Sequence, residues 1–176
     1  MIRRLLASTL VVVVLPACAS SGSPTTDNDD GGYATEFVVE DIATGQPVAL
    51  ADLRGGPVLL SSWATWCEEC RTELPALDAW AADPATGGLT VVAVNVNLAG
   101  PADDEIDKLL DELGLEMPTW RDDQNTFART FRTFGVPANV LLDADGHVVA
   151  TWNGAIDPNE PDVVAALTAA RAAPTG

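Results

Sequence analysis

Trp66-Cys67-Glu68-Glu69-Cys70 sets two thiols one helical turn apart, directly behind the apolar run Pro57-Val58-Leu59-Leu60-Ser61-Ser62. That run, bounded by Gly55-Gly56, has the pattern of a strand buried on both faces. A cysteine in the first turn of the helix that follows faces unpaired backbone N–H groups and the positive end of the macrodipole, and both favour thiolate over thiol. Thiolate is the attacking species in disulfide exchange, so Cys67 is the expected nucleophile. Cys70, one turn deeper, is the thiol expected to resolve the mixed disulfide.

Working outward, strands and helices alternate. Glu36 to Glu40 and Pro47 to Leu50 flank Thr44-Gly45-Gln46 and read as a leading β-hairpin. The helix behind the cysteines should run from about Cys67 to Ala81, with a kink at Pro75. Leu89 to Val96 is a second buried strand, and Asp103 to Leu113 a helix with Ile106, Leu109, Leu110 and Leu113 on one stripe, stopped by Gly114. A third helix, about Asn125 to Phe134, carries Phe127, Phe131 and Phe134 at helical spacing and is expected to pack all three into the core. Ala138 to Leu142 and Val148 to Trp152 are strands joined by the turn Asp143-Ala144-Asp145-Gly146, and a last helix covers Pro161 to Ala172. The order predicts an α/β domain, residues 34–176, with a mixed central sheet flanked by helices.

The N-terminal residues have other roles. Met1-Ile2-Arg3-Arg4, the apolar stretch Leu5 to Leu15 and Leu15-Pro16-Ala17-Cys18 resemble a secretory leader ending in a bacterial lipoprotein box. The apolar stretch falls well short of the about 20 residues a spanning helix needs. Residues 1–17 are therefore expected to be a signal peptide and Cys18 to carry lipid, with several acyl chains anchoring the protein stably at the membrane. An ordinary leader with an incidental cysteine is the alternative. Residues 18–33 would form the lipid anchor and a small, polar, acidic linker, averaging roughly 20 Å end to end and reaching about 50 Å when taut. Removing the two leader arginines from nine basic residues leaves seven against 26 acidic ones, a formal charge of −19. Such a chain repels nucleic acid and anionic headgroups, so neither is an expected partner.

Three segments together resemble the signatures of thioredoxin-like proteins of the TlpA/ResA type: Ser61 to Pro75, Val91 to Val96, and Gly135-Val136-Pro137-Ala138-Asn139-Val140-Leu141-Leu142-Asp143. The resemblance covers the chain from residue 34 onward. It implies a thioredoxin-like fold with an N-terminal β-hairpin extension and a membrane-tethered thiol–disulfide oxidoreductase of the bacterial cell envelope. Many such proteins serve cytochrome c maturation. It implies no cofactor, and as partners protein dithiols or disulfides and a membrane electron donor or acceptor. It further implies a cis bond before Pro137, with the Val136 backbone pairing with substrate. Where the family commonly has Pro-Thr-Thr, this chain has Pro137-Ala138-Asn139, and Ser61 stands where cytoplasmic thioredoxins carry a buried Asp.

Glu73, three residues past Cys70, lies on the same helix face, and the family often has a carboxylate there, implicated in proton transfer to and from the buried cysteine. The alternative is a carboxylate that merely complements the helix dipole. Glu68 and Glu69, between the thiols, oppose a thiolate on Cys67 and push the couple towards reductant behaviour. Trp66 is expected to cover the disulfide and offer apolar contact to substrates, and Trp63 to pack. A structural disulfide closing so short a loop would restrain little. A zinc site lacks ligands, since only Cys18 and the lone His147 remain, so no metal is expected. Peroxidase chemistry of the peroxiredoxin kind resembles Thr-x-x-Cys, whereas Thr65 precedes Cys67 by only two residues. Two further readings stay open: an oxidant that installs disulfides in secreted proteins, and a non-enzymatic lipoprotein or metallochaperone using the cysteines as ligands.

Overall fold

In the computed structural model, which describes residues 37–97 and 103–173, the chain alternates as its sequence pattern predicts. Strands β1 (Val38–Asp41) and β2 (Gln46–Ala49) precede β3 (Val58–Trp63), helix α1 (Glu68–Ala82), β4 (Thr90–Asn95), α2 (Asp103–Leu113) and the short β5 (Thr119–Arg121). Helix α3 (Thr126–Phe131), strands β6 (Ala138–Leu142) and β7 (Val148–Asn153), and α4 (Pro161–Ala172) complete it. The expected leader 1–17, Cys18, the linker up to residue 33 and the start of the hairpin strand at Glu36 lie outside the described residues.

One mixed sheet runs β2-β1-β5-β4-β3-β6-β7. Its centre is parallel (β5, β4, β3), while β6 and β7 on one side and the β1–β2 hairpin on the other add antiparallel strands. All six residues of β3 are buried. Alternation within it divides the core, with Leu59 and Trp63 packing beneath α1, α2 and α4 and Val58 and Leu60 packing with Phe37, Trp120 and Phe127 on the opposite face. A strand sandwiched in this way has to be apolar on both sides, hence the near-continuous hydrophobic run.

One element differs from the sequence-based expectation. α3 ends at Phe131 rather than Phe134, because Arg132 takes a left-handed conformation (φ 54°). Beyond that turn the backbone no longer follows the helical period, so Phe134 is 74% exposed while Phe127 is 1% exposed. The N-terminus of α3 is fixed by Asp122, whose carboxylate accepts the amides of Gln124, Thr126 and Phe127 at 3.3, 3.0 and 2.7 Å. α1 runs continuously through Pro75, which lies on its exposed side; the amide that Pro75 lacks would have paired with the Arg71 carbonyl.

Candidate active site

The cysteines sit where β3 hands the chain to α1. Cys67 is the N-cap of α1, not its first helical residue, with extended backbone angles (φ −87°, ψ 107°). Its sulfur accepts the Cys70 amide at 3.2 Å, so it satisfies one of the orphan N–H groups of the first turn. Cys67 and Cys70 form a disulfide, S–S 2.03 Å, Cα–Cα 5.4 Å. Cys67 is 5% exposed and Cys70 1%, so Cys67 is the less buried residue of the pair.

The turn leading into the helix is tied to the end of β4. The Thr65 amide donates to Asn97 Oδ1 at 3.3 Å, and Asn97 Nδ2 donates back to Thr65 Oγ1 at 3.5 Å. Arg71 reaches back to the Thr65 carbonyl (3.3 Å) and pairs with Glu112 of α2 (3.6 Å). Trp66, 74% exposed, stands at the rim beside a cleft of about 370 Å³ that Arg71, Glu105, Lys108 and Glu112 also line. Trp63 is fully buried.

Pro137 enters the site through strand register. β6 runs antiparallel to β3 with Ala138 opposite Ser62, which brings the residue before β6 to the end of β3 that feeds the cysteines. The Ser62 hydroxyl and the Ala138 backbone exchange bonds at 3.1 and 2.9 Å and hold this register. The Val136–Pro137 peptide is cis, and Gly135 before it has φ 73°, a conformation that favours glycine. Val136 packs, half-buried, against the cluster that contains Cys67, Cys70 and Trp63.

Glu73 is 4% exposed and turns inward from α1. Its Oε1 accepts Asn139 Nδ2 at 2.7 Å and the Ile156 amide at 2.8 Å, while Oε2 is buried without a hydrogen-bond partner. Burial pushes the carboxyl above its ordinary value, and the charge of Glu69 adds to the rise. The Ile156 amide, the Asn139 amide and the nearby Ser61 hydroxyl partly oppose it. A buried carboxyl raised in this way, three residues from Cys70 on one helix face, is suited to taking up and returning a proton. Sequence reasoning passed over Asn139, Ile156, Asn97 and Arg71 as parts of the site. Only Asn139 left a trace, as the departure from Pro-Thr-Thr.

A dithiol pair at the N-terminus of a helix, packed on a mixed sheet whose neighbouring strand opens with a cis-proline, defines a thioredoxin-fold thiol–disulfide oxidoreductase. Comparison with known proteins agrees. The AhpC/TSA family model matches residues 31–151, and the chain belongs to that family. It is 30% identical to the thiol-disulfide oxidoreductase ResA of Bacillus subtilis over 125 residues, 71% of this chain and 68% of that protein. A Chlorobium tepidum structure assigned as a thiol:disulfide interchange protein DsbE superposes with a TM-score of 0.68 at 27% identity, covering 81% of this chain and 97% of the other. A secreted Mycobacterium tuberculosis disulfide oxidoreductase shares the fold, with a TM-score of 0.60 at 23% identity over 77% and 96% of the two chains. The protein is accordingly a thiol–disulfide oxidoreductase of the ResA-like branch of thioredoxin-fold proteins.

Proposed function

We propose that the protein is a lipid-anchored oxidoreductase on the extracytoplasmic face of the cell membrane that reduces protein disulfides through Cys67 and Cys70, with cytochrome c maturation as the setting. The observation that carries the chemistry is the Cys67–Cys70 disulfide at the N-cap of α1. In the reduced protein, the Cys67 thiolate attacks a partner's disulfide, forming a mixed disulfide and expelling one partner thiolate. Cys70 then loses its proton and attacks Cys67 Sγ, which re-forms the internal disulfide and expels the second partner thiolate. Two electrons pass to the partner, and a membrane dithiol donor must return them. Glu73 takes the Cys70 proton in the second step.

Trp66 and the Val136 backbone beside Pro137 would receive the substrate, the exposed indole supplying apolar contact and the backbone an added-strand pairing. Cleavage of the signal peptide 1–17 would leave the acylated Cys18 and the linker up to residue 33 to hold the domain 34–176 at the membrane surface. Glu68 and Glu69, exposed between the sulfurs, support reduction as the direction because they disfavour thiolate in the reduced state. An insulin-reduction assay together with a measured reduction potential tests the reading. A potential near thioredoxin's, about −270 mV, supports it, whereas one about −120 mV assigns the protein to disulfide formation.

A further inference from the structure

The buried polar atoms beneath α1 are unevenly paired. Ser61 of β3 and Asn139 of β6 are register partners across the antiparallel pair, one step from Leu59, Trp63 and Leu141 on the sheet face that α1 covers, so both lie under Glu73. Both amide hydrogens of Asn139 are engaged, one by Glu73 Oε1 at 2.7 Å and the other by the Gly154 carbonyl at 3.1 Å. The Ile156 amide gives Oε1 its second N–H at 2.8 Å. In contrast, Glu73 Oε2, Asn139 Oδ1 and Ser61 Oγ are buried without hydrogen-bond partners.

An oxygen that accepts two N–H bonds has its lone pairs occupied and is the wrong place for a proton, because an O–H there would forfeit one of those bonds and leave a buried donor unsatisfied. We infer that Asn139 is the positioning residue of this carboxyl: together with the Ile156 amide it occupies Oε1 and leaves Oε2 as the single oxygen through which the proton is taken up and returned. The inference rests on the proposal that Glu73 exchanges a proton with Cys70. The groups facing Glu73 fit the assignment. From its own helix comes the charge of Glu69; β3 contributes the neutral Ser61 hydroxyl, β6 the neutral Asn139 amide and the segment after β7 the Ile156 amide. The two groups that bond the carboxylate, the Asn139 and Ile156 amides, are thus neutral and come from β6 and the segment after β7, while the Ser61 hydroxyl lies close enough to favour the charge without completing a hydrogen bond. A family-typical Thr at residue 139 would offer one hydroxyl hydrogen, too few to bond Glu73 and Gly154 together.

The test is made on the full chain with Asn139→Leu, which keeps the branched shape and removes both donors, and with Asn139→Ala, which leaves the site open. The Glu73 carboxyl is titrated by carbon NMR in the oxidised protein, and the pH dependence of mixed-disulfide resolution is followed in the reduced one. Losing a donor to the charged form should move the Glu73 midpoint and the matching limb of the rate profile upward by about one pH unit in Asn139→Leu, and by less in Asn139→Ala, where water enters. Glu73→Gln, run beside them, should abolish that limb. If Glu73→Gln abolishes it while a folded Asn139→Leu leaves midpoint and limb where the parent has them, the positioning role is overturned and the reading of Glu73 stands. Should Asn139→Leu not fold, an unshifted midpoint in Asn139→Ala overturns it equally. A Glu73→Gln profile that overlays the parent overturns both.

Discussion

Cys67 and Cys70 differ by one turn and by what their sulfurs meet. As N-cap, Cys67 already accepts an N–H from the first turn through its Sγ, and the residue is less buried than Cys70. In the reduced protein that donor and the helix dipole act on Cys67 and fall away along the helix towards Cys70. Alkylation near neutral pH should therefore label Cys67 first, read by peptide mass spectrometry after a brief pulse; faster labelling of Cys70 would exchange their roles. Glu73 makes a second prediction. Because burial raises its carboxyl above the ordinary value of 4.5, the folded state binds this proton more tightly than the unfolded chain does. Stability is thus lost as pH rises from about that value through the folded one, and levels off above it. Glu73→Gln removes this loss and keeps an acceptor for Asn139 and Ile156. Its unfolding free energy relative to the parent, from urea melts at about pH 4 and about pH 7.5, should move in the variant's favour at the higher pH. An equal difference at both would mean that the carboxyl titrates as in the unfolded chain.

The phenylalanines of the α3 region separate periodicity from packing. Phe127 contacts Phe37 and Phe131 with ring centroids 6.2 and 5.1 Å apart and fills the core face opposite α1, whereas Phe134 lies beyond the turn at Arg132. Phe127→Ala should cost about 3–5 kcal/mol in unfolding free energy. Phe134→Ala should stay within about 0.5 kcal/mol of the parent, as an exposed substitution does. Denaturant melts of the two compare them directly. A large loss at Phe134 would mean that the side chain is covered in solution. Helical spacing marked all three residues because a period carries no information about where the helix stops. The stop comes from a left-handed non-glycine residue, which propensity disfavours and which the surrounding structure imposes. In β3 and α1 no such conflict arises, and both were legible within a residue or so of their ends.

At the scale of the whole molecule, the proposed lipid tether and the redox domain are predicted to work independently. Cys18→Ser should release the protein from membranes in fractionation, while a chain beginning near residue 34 should retain full insulin-reducing activity; loss of activity in the shorter chain would tie the N-terminal residues to catalysis. The alternating element order, the doubly buried β3, the helix behind it and the two thiols at its start were all readable from the sequence. Each is a local matter: hydrophobic period, turn residues and a spacing of three residues are set by neighbours along the chain. The environment of Glu73 was not readable. Its donors come from Asn139 and Ile156, 66 and 83 residues further on, and they meet only because β6 pairs with β3 in one register and the segment after β7 returns over α1. Sequence alone placed a carboxylate beside Cys70. Whether it would be a solvated surface acid or a buried carboxyl that holds its proton more tightly depended on desolvation and hydrogen bonding by distant residues, and those exist only once the sheet and helices have packed.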